Sequence, residues 1–127
     1  MKICIVGAGA VGGLLAARLA QIGQTVAVLA RGATLAALQR HGVGLATEAG
    51  TAFYPVVAAG EAATLGVQDV VIVAVKQPAM QEVARQMTPL IGPHTRVVTA
   101  MNGVPWWFLD GLEGPLAGAV LRSVDPD

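Results

Sequence analysis

Charged, aromatic and sulfur-bearing residues are all scarce in this sequence. Of its 127 residues only 13% are charged and 4% aromatic, and a single cysteine, Cys4, is present. One cysteine cannot make a disulfide within its own chain, so a disulfide scaffold is excluded. Eight basic residues balance eight acidic ones, for a net charge of zero. That balance gives no electrostatic case for nucleic acid or for an anionic membrane surface. Long apolar runs are missing too. Met1 to Leu29 is interrupted by Arg18, Gln21, Gln24 and glycines, well short of the ~20 apolar residues that span a bilayer. A glycine cluster stands where the apolar stretch of a signal peptide would run. The expected setting is therefore cytoplasmic, with no membrane partner.

What is present is small and apolar. The chain is 54% hydrophobic with 16 glycines and has a mean hydropathy of +0.63. Disorder is excluded by that composition. The length suits one domain burying roughly two-thirds of its unfolded surface. The apolar excess comes from alanine and from short valine and isoleucine runs, the pattern of strands covered on both faces.

Met1–Val6 reads as a buried strand ended by glycines. Ala10–Ile22 reads as a helix, with Val11, Leu14, Leu15, Leu19 and Ile22 on an apolar face and Gly23 as its stop. Thr25–Leu29 is a second strand. Leu35–Arg40 is a short helix capped by Thr34. Val43–Thr47 and Ala52–Val57 flank a four-residue loop, Glu48–Thr51, as a β-hairpin. Asp69–Val75 is the strongest buried strand. Pro78 opens a helix over Ala79–Met87, and Thr95–Met101 is a further strand broken by Asn102-Gly103. Pro105–Leu112 suggests a short helix and Gly118–Leu121 a last small strand. Strands alternating with helices imply a Rossmann-type α/β fold: a doubly wound, mostly parallel sheet with helices on both faces.

One motif carries chemistry. Gly7-Ala8-Gly9-Ala10-Val11-Gly12 is G-x-G-x-x-G, placed directly after a buried strand and opening an amphipathic helix. In that setting Gly7 makes the tight turn, Gly9 leaves room for a pyrophosphate and Gly12 lets helix and sheet approach. Free N–H groups of the first helical turn hold the anion. A glycine turn that binds nothing is the plain alternative. The second strand ends in Leu29-Ala30-Arg31-Gly32 with no neighbouring acid to accept the ribose 2′-OH of NAD. Arg31 suits the 2′-phosphate of NADP, against the alternative of a solvated surface arginine. Lys76 and Asn102 close two more strands at the edge where open α/β sheets bind ligands. Asn102-Gly103 also fits a plain turn. Cys4 reads as a small core residue, and neither His41 nor His94 has the neighbours of a metal site. Glu82 and Arg85 fall on the solvated side of their helix.

Taken together, the glycine motif, Ala30-Arg31-Gly32, Val73-Ala74-Val75-Lys76-Gln77 and Met101-Asn102-Gly103-Val104 resemble the 2-dehydropantoate 2-reductase (ketopantoate reductase) family, in order and along essentially the whole chain. The resemblance implies a Rossmann domain that binds NADP(H) and a helical C-terminal domain that completes the site. It implies hydride transfer to the keto carbon of 2-dehydropantoate, giving pantoate for pantothenate and coenzyme A synthesis. Gly7, Ala8, Gly9, Ala10, Val11 and Gly12 would then meet the pyrophosphate and Arg31 the 2′-phosphate. Lys76 and Asn102 would line the cofactor and the 2-keto acid substrate. Family members run to about twice this length, and their general acid lies in the helical domain. No catalytic residue is therefore assigned within 1–127, which is expected to be the cofactor-binding half and inactive alone. Two other readings stay open: a non-catalytic NADP(H)-binding regulatory module, and a reductase of another 2-keto acid. Trp106-Trp107-Phe108 holds three of the five aromatics. Adjacent helical residues cannot both face one core, so one tryptophan is expected to point outward, at a missing domain, at a homodimer partner or over the nicotinamide pocket.

Overall fold

The computed structural model describes residues 1–123, apart from the side chain of Trp106. Five strands form one parallel sheet: β1 (Ile3–Val6), β2 (Val26–Leu29), β5 (Val57–Ala59), β6 (Val70–Val73) and β7 (Arg96–Thr99), in the order β5-β2-β1-β6-β7. Two further strands, β3 (Val43–Thr47) and β4 (Gly50–Tyr54), pair antiparallel as a separate hairpin. The helices are α1 (Ala10–Gln21), α2 (Gly32–His41), α3 (Ala62–Leu65) and α4 (Met80–Gln86).

The two central strands show why their sequences are continuously apolar. Ile3, Ile5, Val26 and Val28 face one core with Ala16 and Ala17 of α1, Leu38 of α2, and Val43 and Leu45 of the hairpin. The alternate residues Cys4, Val6, Ala27 and Leu29 face a second core with Ala62 of α3, Val83 of α4 and Leu90. Both faces of these two strands are covered, so neither position of the strand period has room for a polar side chain. Burial pushes the Cys4 thiol up to about 11, partly offset by a backbone hydrogen bond at Leu29. It is a core residue, as expected.

Several boundaries differ from expectation. Helix α1 buries Ala16 and Ala17, with Leu15 and Leu19 packed beside them, but leaves Val11, Leu14 and Ile22 half exposed or more. Its small residues, not its largest, face the sheet. It ends as foreseen: Gly23, at φ +82, donates to Ala20 and Gln24 donates to Leu19, the pattern of a Schellman cap. Helix α2 starts at Gly32 rather than Leu35, with extended Arg31, not Thr34, at its N-cap. Gly32, at φ +56, turns the chain straight from the strand end into the helix.

The expected strand Ala52–Val57 is two strands, because Pro55 has no N–H to give a ladder. Residues before it complete the hairpin, and Val57–Ala59 crosses to pair with β2. The hairpin loop is Glu48-Ala49, since Thr47 pairs with Gly50. Gln77–Ala79 is a 3-10 turn leading into α4. The expected helix Pro105–Leu112 is a single 3-10 turn at Trp106–Leu109. Gly118–Leu121 is not a strand; the preceding residues form turns, with Ala117 donating to Gly114 and Ala119 to Leu116. Gly114 and Gly118 have positive φ, which breaks extended pairing there.

The sheet ends asymmetrically. On β7, Val97 and Val98 are 45% and 49% exposed, whereas the same two positions of β1 are sealed. Val104, Phe108, Leu112 and Leu116 add exposed apolar surface downstream. No helix among the described residues is long and apolar enough to cross a membrane.

Candidate functional site

Strand register brings the expected site residues to one edge. Val6 pairs with Leu29 on one side and Val73 on the other, and Val73 pairs with Thr99. The ladder continues one row further through hydrogen bonds from Gly7 to Leu29, Ala74 to Val6 and Ala100 to Val73. Beyond that row come the glycine turn after β1, Arg31 after β2, Lys76 after β6 and Asn102 after β7. All four stand at the carboxyl ends of parallel strands.

The glycine turn is fixed by steric fit. Gly7 has φ +92, and a Cβ there would stand 2.6 Å from Val75 Cγ1. Gly12 is buried, and a Cβ on it would run into the carbonyl oxygen of Gly7, with Ala74 Cβ 3.1 Å away. Gly9 is different: a Cβ there would meet nothing within 4 Å, so the space in front of it is open. Gly9 caps α1 with no side-chain hydrogen bond. Gly13 donates to Gly9 at 2.7 Å, closing the first helical hydrogen bond. The earlier N–H groups of that turn lie outside the helical ladder and are the donors an anion would use.

The turn packs on the β6 exit. Ala74 and Val75, which wall Gly7 and Gly12, immediately precede Lys76. Lys76 is exposed and its ammonium has no partner among the described residues. The β7 exit lies alongside: a Cβ on Gly103, at φ +109, would stand 3.5 Å from the side-chain oxygen of Gln77. Asn102 is exposed beside it. The glycine turn, Lys76-Gln77 and Asn102-Gly103 are therefore three touching loops.

Arg31 carries the main surprise. Its Nη1 donates to Glu82 Oε1 at 2.8 Å, the one ion pair among the described residues. The same oxygen accepts from Gln86 Nε2 at 2.8 Å. Glu82 is solvated on its helix, as expected, but it also meets Arg31. Sequence inspection finds no acid near Arg31 because this one lies 51 residues away. The only hint would have been its place in the first turn after Lys76-Gln77-Pro78.

A groove of about 560 Å³ reaches the glycine turn from the hairpin side, lined by Gly9, Gly13, Leu14, His41, Leu45 and Phe53 among others. Arg31, Lys76 and Asn102 do not border it. It is an apolar flank of the turn, separate from the edge where the polar groups gather. No group of His, Cys, Asp and Glu able to hold a metal ion occurs among the described residues.

The parallel sheet and its glycine turn define a Rossmann-type α/β domain. The chain belongs to the ketopantoate reductase PanE/ApbA family, whose model matches residues 3–105. It is 49% identical to a 2-dehydropantoate 2-reductase of Mesorhizobium japonicum over 99% of this chain and 39% of that protein. A crystal structure of a Ralstonia solanacearum MolK2 protein assigned to the ketopantoate reductases superposes with a TM-score of 0.91. It is 62% identical and covers 98% of this chain and 38% of that one. A ternary structure of D-mandelate dehydrogenase with NADH and anilino(oxo)acetate aligns at TM-score 0.71 and 27% identity, over 82% of this chain and 34% of that one. The chain thus spans about two-fifths of the length of these relatives.

Proposed function

We propose that this chain is the cofactor-binding domain of an NADPH-dependent 2-dehydropantoate 2-reductase, which reduces a 2-keto acid to the 2-hydroxy acid pantoate on the route to pantothenate and coenzyme A. The observation that carries the reading is the glycine turn, shaped by Gly7 and Gly12 and open in front of Gly9, with Arg31 at the adjacent strand end. Family membership supports the reaction class.

In this reading Gly7, Ala8, Gly9, Ala10, Val11 and Gly12 form the pyrophosphate cradle, with backbone N–H groups as donors. Arg31 meets the 2′-phosphate with donors of its guanidinium that Glu82 does not use. Lys76 and Asn102, on touching loops, face the nicotinamide end. An ammonium there attracts the keto acid carboxylate, and an amide N–H polarises the carbonyl oxygen. When bound, the reduced nicotinamide supplies the hydride. The alkoxide that forms also needs a proton, and no described residue is assigned that role. The exposed apolar side chains from Val104 to Leu116 support a surface that packs on further protein, either the rest of the enzyme or a second copy.

A second reading, binding of NADH, is favoured by one observation: the guanidinium that would meet a 2′-phosphate already holds a carboxylate. Calorimetric titration of the chain and of Arg31→Ala with NADPH and NADH separates the two. NADPH is expected to bind more tightly, with a loss of about tenfold in the variant, as for a partly solvated charge-assisted contact, and no loss for NADH. Equal affinities of the unaltered chain for both dinucleotides would end the NADPH assignment.

A further inference from the structure

Arg31, proposed to meet the 2′-phosphate, is already engaged in the structure. Its Nη1 is 2.8 Å from Glu82 Oε1, and Gln86 holds that same oxygen from one helical turn further on. The carboxylate oxygen is thus shared between Arg31 and a second donor on α4. Both side chains are more than half exposed, at 58% and 57%. Such a pair contributes little to stability, so it matters chiefly to whatever else approaches the guanidinium.

Two kinds of ligand approach it differently. A 2′-phosphate brings a charge near −2 and competes with the Glu82 carboxylate for the same guanidinium, whose charge and donor geometry that carboxylate already engages. A 2′-hydroxyl is neutral, needs no cation and can donate a hydrogen bond to a carboxylate. Arginine carries five N–H donors in a planar fork, and Glu82 uses one of them. A phosphate can therefore bind without displacing Glu82, but only to a guanidinium whose charge is partly neutralised and whose fork is oriented by that carboxylate.

We propose that Glu82 is a specificity-determining residue: by holding Arg31, it weakens binding of the 2′-phosphorylated dinucleotide and narrows the preference for NADPH over NADH. The inference rests on the cofactor reading but not on which cofactor wins. It concerns only the ratio of the two affinities and what sets it. Only an acid in contact with the guanidinium acts in this way, so a distant surface acid would not. The effect should pass through Arg31 and vanish without it.

The test is a double-mutant cycle on the 127-residue chain. Dissociation constants for NADPH and NADH are measured by calorimetry for the unaltered chain, Glu82→Gln, Arg31→Ala and the double variant. Glutamine keeps the shape of Glu82 and an oxygen for Gln86 while removing the charge. Glu82→Gln should bind NADPH about three- to tenfold more tightly, the range of a solvent-screened charge interaction. Its NADH affinity should stay level or fall by less than about threefold. In the Arg31→Ala background the same change should alter NADPH affinity by less than about twofold. An unchanged NADPH-to-NADH ratio in Glu82→Gln overturns the proposal while leaving the cofactor reading intact. So does an equal shift in both backgrounds, which would mark a general charge effect. Failure of the unaltered chain to bind either dinucleotide overturns both.

Discussion

The two parts of the candidate cofactor edge are built on opposite plans. In the glycine turn the backbone is the instrument, and its shape is fixed by contact with β6 and with itself. On the rim formed by Arg31, Lys76 and Asn102, exposed side chains are the instrument, and Arg31 is held only by its exposed ion pair with Glu82. The turn is specified by what cannot be added to it, and the rim by which charges stand near one another. Damage to the turn should therefore appear first as lost stability, and damage to the rim only as lost affinity.

The largest effect is expected at Gly12. An alanine there drives its methyl group into the Gly7 carbonyl, at a point where both partners are backbone and Ala74 closes the other side. Overpacking of this kind costs about 3 kcal/mol, which for a chain of this size lowers the melting temperature by about 10 °C. Thermal unfolding followed by circular dichroism measures it. A melting temperature within about 2 °C of the unaltered chain would show that the turn relaxes and that the contrast is false.

Gly9 lies in the same motif and should behave like the rim. Its φ of −73 suits any residue, and a methyl group there touches nothing. Gly9→Ala is expected to melt within about 2 °C of the unaltered chain yet bind NADPH at least about tenfold more weakly, a difference of about 1.4 kcal/mol. The methyl group would occupy the space the pyrophosphate needs. Full affinity in a stable Gly9→Ala chain would remove the pyrophosphate from this turn.

The same contrast explains how much was legible in the sequence. A strand covered on both faces must be apolar at every position, so β1, β2 and β6 stand out as unbroken runs, and the glycine motif between β1 and α1 is equally plain. Periodicity misplaced the buried face of α1, because hydropathy ranks Val11 and Leu14 above Ala16 and Ala17, whereas close approach to the sheet favours the smaller residues. Helix α3, four residues long, is too short to show a period. Arg31, Lys76 and Asn102 were legible as strand-end residues because register alone brings them to one edge. Glu82 was not, since its meeting with Arg31 depends on how α4 sits across the sheet from β2. Local pattern reveals what a residue's own element demands; charge pairs between elements appear only once the elements are packed.

The smallest effect is expected at Lys76, and its value lies in how it differs from Arg31. Lys76 follows β6 and adjoins the Asn102-Gly103 loop, whereas Arg31 follows β2 on the far side of β1. In the proposed binding mode a cation at that position lies toward the nicotinamide and meets what both dinucleotides share. Its ammonium is an exposed point charge on a flexible stem, which loses rotamer freedom on engaging a ligand and is screened by water. Lys76→Ala should therefore leave the melting temperature unchanged and weaken NADPH and NADH by the same factor, about threefold. Arg31→Ala should weaken NADPH alone. A Lys76→Ala chain that loses NADPH selectively would place both cations around the 2′-phosphate and erase the distinction between the two ends of the cleft. Equal losses would fix the polarity of the bound dinucleotide along the sheet edge, with its adenosine toward β2 and its nicotinamide toward β6 and β7.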